Sequence, residues 1–203
     1  MNICQIDGAR IEGLCACLPA TAVANDEKVA RATGIVTRRI ASEGTTVVDL
    51  CVAAAEKALA ETGAKPDEFG AVLFVSFTQP NRMPAAACEA QARLGLPKDV
   101  IAFDVSLACS GWGYGLYLAA LLAQQTGKKT LLLDGDVQSA KATDDSTEPL
   151  LGDAGTATVI GNCSDCSDCS IVRLPWRFAF VADGAKGEAL KLKDGGTIQM
   201  DGF

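Results

Sequence analysis

One cysteine sits where covalent chemistry is possible. Cys109 lies in Phe103-Asp104-Val105-Ser106-Leu107-Ala108-Cys109-Ser110-Gly111-Trp112-Gly113-Tyr114-Gly115, which reads as a buried strand, a tight turn and a small-residue helix. A thiol at a helix N-terminus faces unpaired N–H groups and the positive end of the dipole, which favour thiolate. The same N–H groups can hold the oxyanion of an attacked thioester. Gly111, Gly113 and Gly115 each weaken a helix by roughly 1 kcal/mol against Ala, so their presence points to close backbone packing. A structural cysteine buried in a glycine-rich helix start has the same spelling, and spacing alone does not separate the two readings. The chain contains no His. An imidazole base, an imidazole metal ligand and a Ser-His-Asp triad are therefore excluded.

Three other constellations merit weighing. Gly152-Asp153-Ala154-Gly155-Thr156-Ala157 is a glycine-rich turn after an acidic loop, but it matches neither GxGxxG nor a Walker A pattern. It reads as a tight turn into a strand rather than a nucleotide cradle. Cys163, Cys166 and Cys169 form two CxxC steps that share a cysteine, resembling part of an iron–sulfur or zinc site. Three thiolates without a nearby fourth, among Ser and Asp, read instead as an exposed turn or an adventitious disulfide, so no metal and no cofactor are expected. Arg38-Arg39 is a compact basic step beside a predicted loop; such a pair is either solvated or seats an acidic partner or a phosphate.

The whole-chain balance narrows the function classes. In 203 residues, 25 Asp and Glu face 18 Lys and Arg, a formal charge of -7, so a sequence-independent grip on nucleic acid is not expected. With 49% hydrophobic residues the chain can bury a core as one domain. Nine cysteines would suit a secreted disulfide scaffold, but most lie in apolar or small-residue segments and the start MNICQIDGARIEG shows no secretory signal. A cytoplasmic location follows. No apolar run reaches the ~20 residues of a membrane span.

The elements that must hold Cys109 alternate in type. Asn2 to Leu18 reads as extended, broken at Gly8 and Gly13, and residues 20–44 read as a long loop with one helical turn. Thr46 with Asp49 spells a capping-box-like start, and Val48, Val52, Ala55 and Leu59 make one helical stripe closed by Gly63. Buried strands are expected at 71–77 and 100–105 and a third strand at 130–134; helices are expected from Pro84 to Gly95 and over 111–125. Strand–helix alternation at these loop lengths means right-handed crossovers in an α/β layered sheet. Residues 156–160 make a further strand, 171–180 alternate as a half-buried edge strand, and 190–200 read as a hairpin.

Together these segments resemble the thiolase superfamily, specifically β-ketoacyl-[acyl-carrier-protein] synthase III. The matching stretches run in order: Leu18-Pro19; Thr33-Gly34-Ile35 with Arg38-Arg39-Ile40-Ala41; Thr46 with Asp49-Leu50; Pro84 to Cys88; Ala102 to Val105 with Ala108 to Gly111; Gly152 to Ala157; and Met200-Asp201-Gly202. The resemblance implies one layered αβα half, with a mixed sheet in the order βαβαβαββ, of an αβαβα sandwich. It implies that Cys109 accepts an acyl group from an acyl carrier protein or acyl-CoA thioester, which then condenses with a decarboxylating malonyl thioester. Met83 would cross into the partner's acyl pocket in a homodimer, Arg38 would lie on the substrate side, and Asp153 and Gly155 would belong to the turn supporting the site.

The same resemblance predicts that residues 1–203 are an N-terminal half-domain. The His and Asn that polarise the malonyl thioester belong to the family's second half. The family's tryptophan ahead of Thr33 has no counterpart, and two arginines that embrace coenzyme A fall at Ala32 and near Asp145. The donor is thus open between coenzyme A and a carrier protein. A non-catalytic dimer partner or acyl-binding subunit with the same fold is the alternative reading.

Overall fold

The N-terminal arm is two strands because Gly8, at a φ of +75°, turns the chain between β1 (Asn2–Ile6) and β2 (Ala9–Cys17). This computed structural model describes residues 2–138, 148–162, 175–187, 190–192 and 198–200. Gly13 does not break the arm; β2 runs through it with a register slip between Ile11 and Gly13. A Cβ there would lie 2.5 Å from Thr62 Cγ2, so closeness to the neighbouring helix accounts for the glycine. The expected loop over 20–44 holds more structure: β3 (Thr21–Ala24), α1 (Glu27–Thr33) and β4 (Thr37–Ile40), with β3 and β4 paired antiparallel. Asp26 caps α1 by accepting from Val29 N–H. Periodicity could not reveal these elements, since α1 buries no residue and all of β3 is exposed.

The middle of the chain follows its pattern closely. In α2 (Val47–Thr62) Thr46 Oγ1 accepts from Asp49 N–H at 3.2 Å and Asp49 Oδ2 accepts from Thr46 N–H at 2.8 Å, completing the capping box. Then come β5 (Phe69–Val75), α3 (Ala86–Arg93), β6 (Ile101–Val105), α4 (Gly111–Thr126), β7 (Lys129–Asp136) and β8 (Ala154–Asn162). Pro84 does not open α3 as expected. It follows Met83 in a cis peptide, and the helix begins two residues later, where Ala86 and Ala87 N–H both donate to Asp104 at 2.8 Å.

The main sheet has the order β2-β8-β7-β5-β6. Strands β7, β5 and β6 are parallel; β8 and β2 join antiparallel, so the sheet is mixed. On one face α2 and α3 pack against Val72, Phe74, Leu131 and Leu133. On the other, Ala119 and Ala123 of α4 cover Leu73, Val75, Leu132 and Ile160. Each fully buried large apolar side chain adds ~2 kcal/mol, so these two layers dominate stability. Strand β6 was expected buried, yet Ile101 is 42% exposed because β6 is the sheet edge, with a neighbour on one side only.

Outside that sheet, β9 (Trp176–Phe180) pairs antiparallel with β1, and β10 (Leu190–Leu192) with β11 (Ile198–Met200) forms the expected hairpin. Phe180 stacks on Tyr114 of α4 at 4.3 Å and Phe178 meets Tyr117 edge-on at 5.2 Å, so β9 rides on α4. Among the described residues, no helix is long and apolar enough to cross a membrane.

Candidate functional site

Cys109 stands four residues past the end of β6. The chain leaves Val105, forms a 3-10 turn over Ala108–Ser110 and enters α4 at Gly111. The Ser110 N–H and hydroxyl both donate to Leu107 C=O, at 3.3 and 3.0 Å, which closes the turn. Ala108, immediately before the thiol, has a φ of +45°, the one positive value at a non-glycine among the described residues. A side chain in that region stores strain of order 1 kcal/mol, which the surrounding packing must hold. The Cys109 thiol is exposed.

Two of the three glycines after it do what the sequence predicts. A Cβ on Gly111 would collide with Val75 Cγ1, and one on Gly115 would lie 2.8 Å from Leu132 Cδ1, whereas Gly113 faces open space. The start of α4 therefore lies directly on β5 and β7. Among the other described cysteines, Cys88 is exposed, Cys4 and Cys17 are half-buried, and Cys15 and Cys51 are buried. Burial pushes the Cys51 thiol up to about 12, with the charges of Asp134 and Asp136 adding to it against the pull of Thr156 N–H. Cys163, Cys166 and Cys169 lie outside the described residues. Among those described, no three His, Cys, Asp or Glu side chains gather to hold a metal.

The turn at 148–155 forms the second part of the site. Asp153 is 1% exposed; its carboxylate accepts from Ala41 N–H and Gln138 N–H, both at 2.7 Å, while its own N–H donates to Arg39 C=O at 2.8 Å. It thereby joins the exits of β4 and β7 to the entry of β8. Gly155 lies on α2, where a Cβ would sit 2.5 Å from Cys51 N, so no larger residue fits. Arg38 does not stand open to an anion as the basic step suggested. It is buried, with Nε donating to Asn25 Oδ1 at 2.9 Å and Nη1 to Leu151 C=O at 3.2 Å. Arg39 turns to the carbonyls of Pro19 and Ala20, at 3.3 and 3.0 Å. A buried guanidinium group such as that of Arg38 needs acceptors, and Asn25 Oδ1 and the Leu151 carbonyl supply two of them, whereas Arg39 is exposed.

Met83 lies on the loop from β5 to α3 and is 82% exposed. The loops bearing Met83 and Cys109 leave the C-terminal ends of adjacent parallel strands, where open α/β sheets place their sites. Because Asp136 at the end of β7 pairs with Ala154 at the start of β8, the Asp153 turn belongs to the same end of the sheet. Cys109, Met83, Arg38, Asp153 and Gly155 thus lie toward that end, two of them exposed and three buried.

Sequence reasoning missed three carboxylates at this end. Asp104 binds the first N–H groups of α3. Asp136 accepts from Ser76 Oγ at 2.8 Å, Phe77 N–H at 3.0 Å and Thr78 Oγ1 at 2.9 Å. Asp134 is pushed up to about 6 by burial and by the neighbouring Asp136. Their signal was present: acids in Phe103-Asp104-Val105 and Leu133-Asp134-Gly135-Asp136 interrupt otherwise apolar strands.

Residues 103–177 match the family of 3-oxoacyl-[acyl-carrier-protein (ACP)] synthase III. The chain is 37% identical over 163 residues to β-ketoacyl-[acyl-carrier-protein] synthase III 3 of Streptomyces coelicolor, covering 74% of this chain and 48% of that one. It is 34% identical over 181 residues to the β-ketoacyl-[acyl-carrier-protein] synthase III of Aquifex aeolicus, covering 88% and 56%. The crystal structure of a 3-oxoacyl-(acyl-carrier protein) synthase from Burkholderia xenovorans LB400 superposes with a TM-score of 0.85 at 35% identity, over 93% of this chain and 56% of that one. The layered α/β fold with its mixed sheet is the thiolase-like fold of those structures. The chain spans about half the length of the relatives it matches.

Proposed function

We propose, for a chain that belongs to the β-ketoacyl-[acyl-carrier-protein] synthase III family, that Cys109 is the acyl-accepting nucleophile of a decarboxylative Claisen condensation. The Cys109 thiolate attacks the carbonyl carbon of an acyl thioester. The new C–S bond forms as the carrier's thiolate departs and takes up a proton, leaving an acyl-cysteine. A malonyl thioester then loses carbon dioxide, and its carbanion displaces Cys109 from the acyl carbon. Residues 1–203 are the nucleophile-bearing half of this machinery, α4 its central-layer helix, and Met83 the residue that reaches across a homodimer into the partner's acyl pocket. An acyl carrier protein or coenzyme A delivers the acyl group.

The observation that carries this reading is an exposed thiol held behind the strained Ala108 at the entry to α4. Arg38, Asp153 and Gly155 support the neighbouring turn from beneath rather than touching substrate. Incubating the protein with an acyl thioester and mapping the product by mass spectrometry tests the assignment. Acylation is expected at Cys109, and none in Cys109→Ala; equal modification of Cys88 would overturn it. The alternative reading is an acyl-binding or non-catalytic dimer subunit with the same fold; residues 1–203 themselves supply no imidazole donor for decarboxylation. Supplying a His-bearing second half in trans separates the two: condensation returns only if this chain is the nucleophile half.

A further inference from the structure

We infer that Asp136 is a positioning residue for Cys109, a latch at the far end of β7 that sets where the nucleophile's turn stands; this rests on the reading of Cys109 as nucleophile. One oxygen, Asp136 Oδ1, takes Ser76 Oγ, Phe77 N–H and Thr78 Oγ1 together. The two hydroxyls are in turn acceptors: Thr78 N–H donates to Ser76 Oγ and Val137 N–H to Thr78 Oγ1, both at 3.0 Å. The network therefore closes on itself and locks the exit of β5 to the exit of β7.

Ser76 carries that fixation toward the thiol by two routes. Its N–H donates to Val105 C=O at 3.2 Å, the last residue of β6 before the chain runs to Cys109. Its predecessor Val75 fills the space under Gly111 and Gly115, on which the first turns of α4 rest. The same latch anchors one end of the Met83 loop, and Asp104, through Ala86 and Ala87 N–H, anchors the other. A side chain that touches neither the thiol nor the acyl group thus governs the placement of both exposed site residues.

The test uses the full chain and three variants, Asp136→Ala, Asp136→Asn and Thr78→Val, with Cys88 as internal reference because Asp104, not Asp136, binds the start of its helix. Displacing a reacting group by an ångström can lower a rate by up to about a hundredfold, so Asp136→Ala should slow acyl transfer to Cys109 by about tenfold or more. Alkylation of Cys88 should change less than about twofold, since α3 keeps its own anchor. Asp136→Asn, whose amide oxygen keeps two lone pairs for these donors, should recover to within about threefold of wild type, and Thr78→Val, which removes one donor to Asp136 and the acceptor of Val137 N–H, should fall between. Unchanged transfer in Asp136→Ala and Thr78→Val, with only the melting temperature lowered, would overturn the latch, as would an Asn variant as slow as the Ala one. Should wild-type Cys109 take no acyl group, the nucleophile reading fails separately. The latch is then decided by iodoacetamide: it stands if the Cys109-to-Cys88 ratio drops about threefold in Asp136→Ala and falls if the ratio holds.

Discussion

Gly111 and Gly113 are two positions apart on one helix and live in opposite surroundings. A methyl on Gly111 meets Val75, while one on Gly113 meets nothing within 4 Å. Gly111→Ala should therefore destabilise by about 2 kcal/mol through overpacking. Gly113→Ala should stabilise by about 0.5–1 kcal/mol through helix propensity alone. Urea unfolding of both variants checks the pair. The sequence could announce that a glycine-rich helix start packs closely, but not which glycine faces the sheet, because that depends on the helix's rotation about its axis. The buried hydroxyls of Thr130 and Thr158, which have no hydrogen-bond partner among the described residues, were equally hidden: in an apolar strand Thr spells like Val. Replacing Thr130 by Val should raise stability by about 1 kcal/mol, and a loss in the same unfolding assay would show that the hydroxyl has a partner after all.

At the scale of elements, the strand ends carry the electrostatics. Asp134 titrates from about 6 in the folded protein against an ordinary 3.8. Between those values the folded state keeps a proton that the unfolded chain has released, so stability falls as pH rises through this window. Above about 6 the ionised, half-buried carboxylate is a burden that Asp134→Asn removes. The variant should melt higher than wild type at pH 7.5, by about 1 kcal/mol once solvent screening is allowed for, and the gap should close at pH 4. An equal gap at both pH values would refute the assignment. Burial likewise raises Asp136, against the hydrogen bonds from Ser76, Phe77 and Thr78. The elements themselves were unevenly legible. Helix α2 wrote both its cap and its stripe into the sequence. Helix α1, which buries nothing, did not, and β6 showed its strand but not its exposure on an edge, because hydrophobicity reports burial only where a neighbour exists to provide it.

Across the whole molecule, the candidate residues came from an ordered set of motifs, and the five of them share one end of the sheet. What they do there was less legible. Arg38 is a charge in the sequence and an internal brace in the fold, since nothing in its neighbours' names says that Leu151 C=O and Asn25 await it. The longest charge-free stretch runs from Val105 to Gly127, through all of α4. A largely apolar, charge-free helix belongs in an interior, yet Trp112 in its first turn is 39% exposed, and Leu107 ahead of it 42%. Light scattering is expected to return a mass above that of one chain, falling when Trp112 is replaced by Lys. A single-chain mass at micromolar concentration would count against α4 being a central-layer helix.

The pairing of β1 with β9 and of β2 with β8 joins Asn2 to Phe180 and Cys17 to Gly155. On the ribosome, β1 and β2 must therefore wait, unzipped, for partners made roughly 140 to 180 residues later. The three parallel strands can assemble early, but the sheet's other flank is sealed only when the chain's later strands emerge. Until β8 and β9 emerge this sheet is an open book, and whatever shields its pages in the cell must act before those two strands arrive.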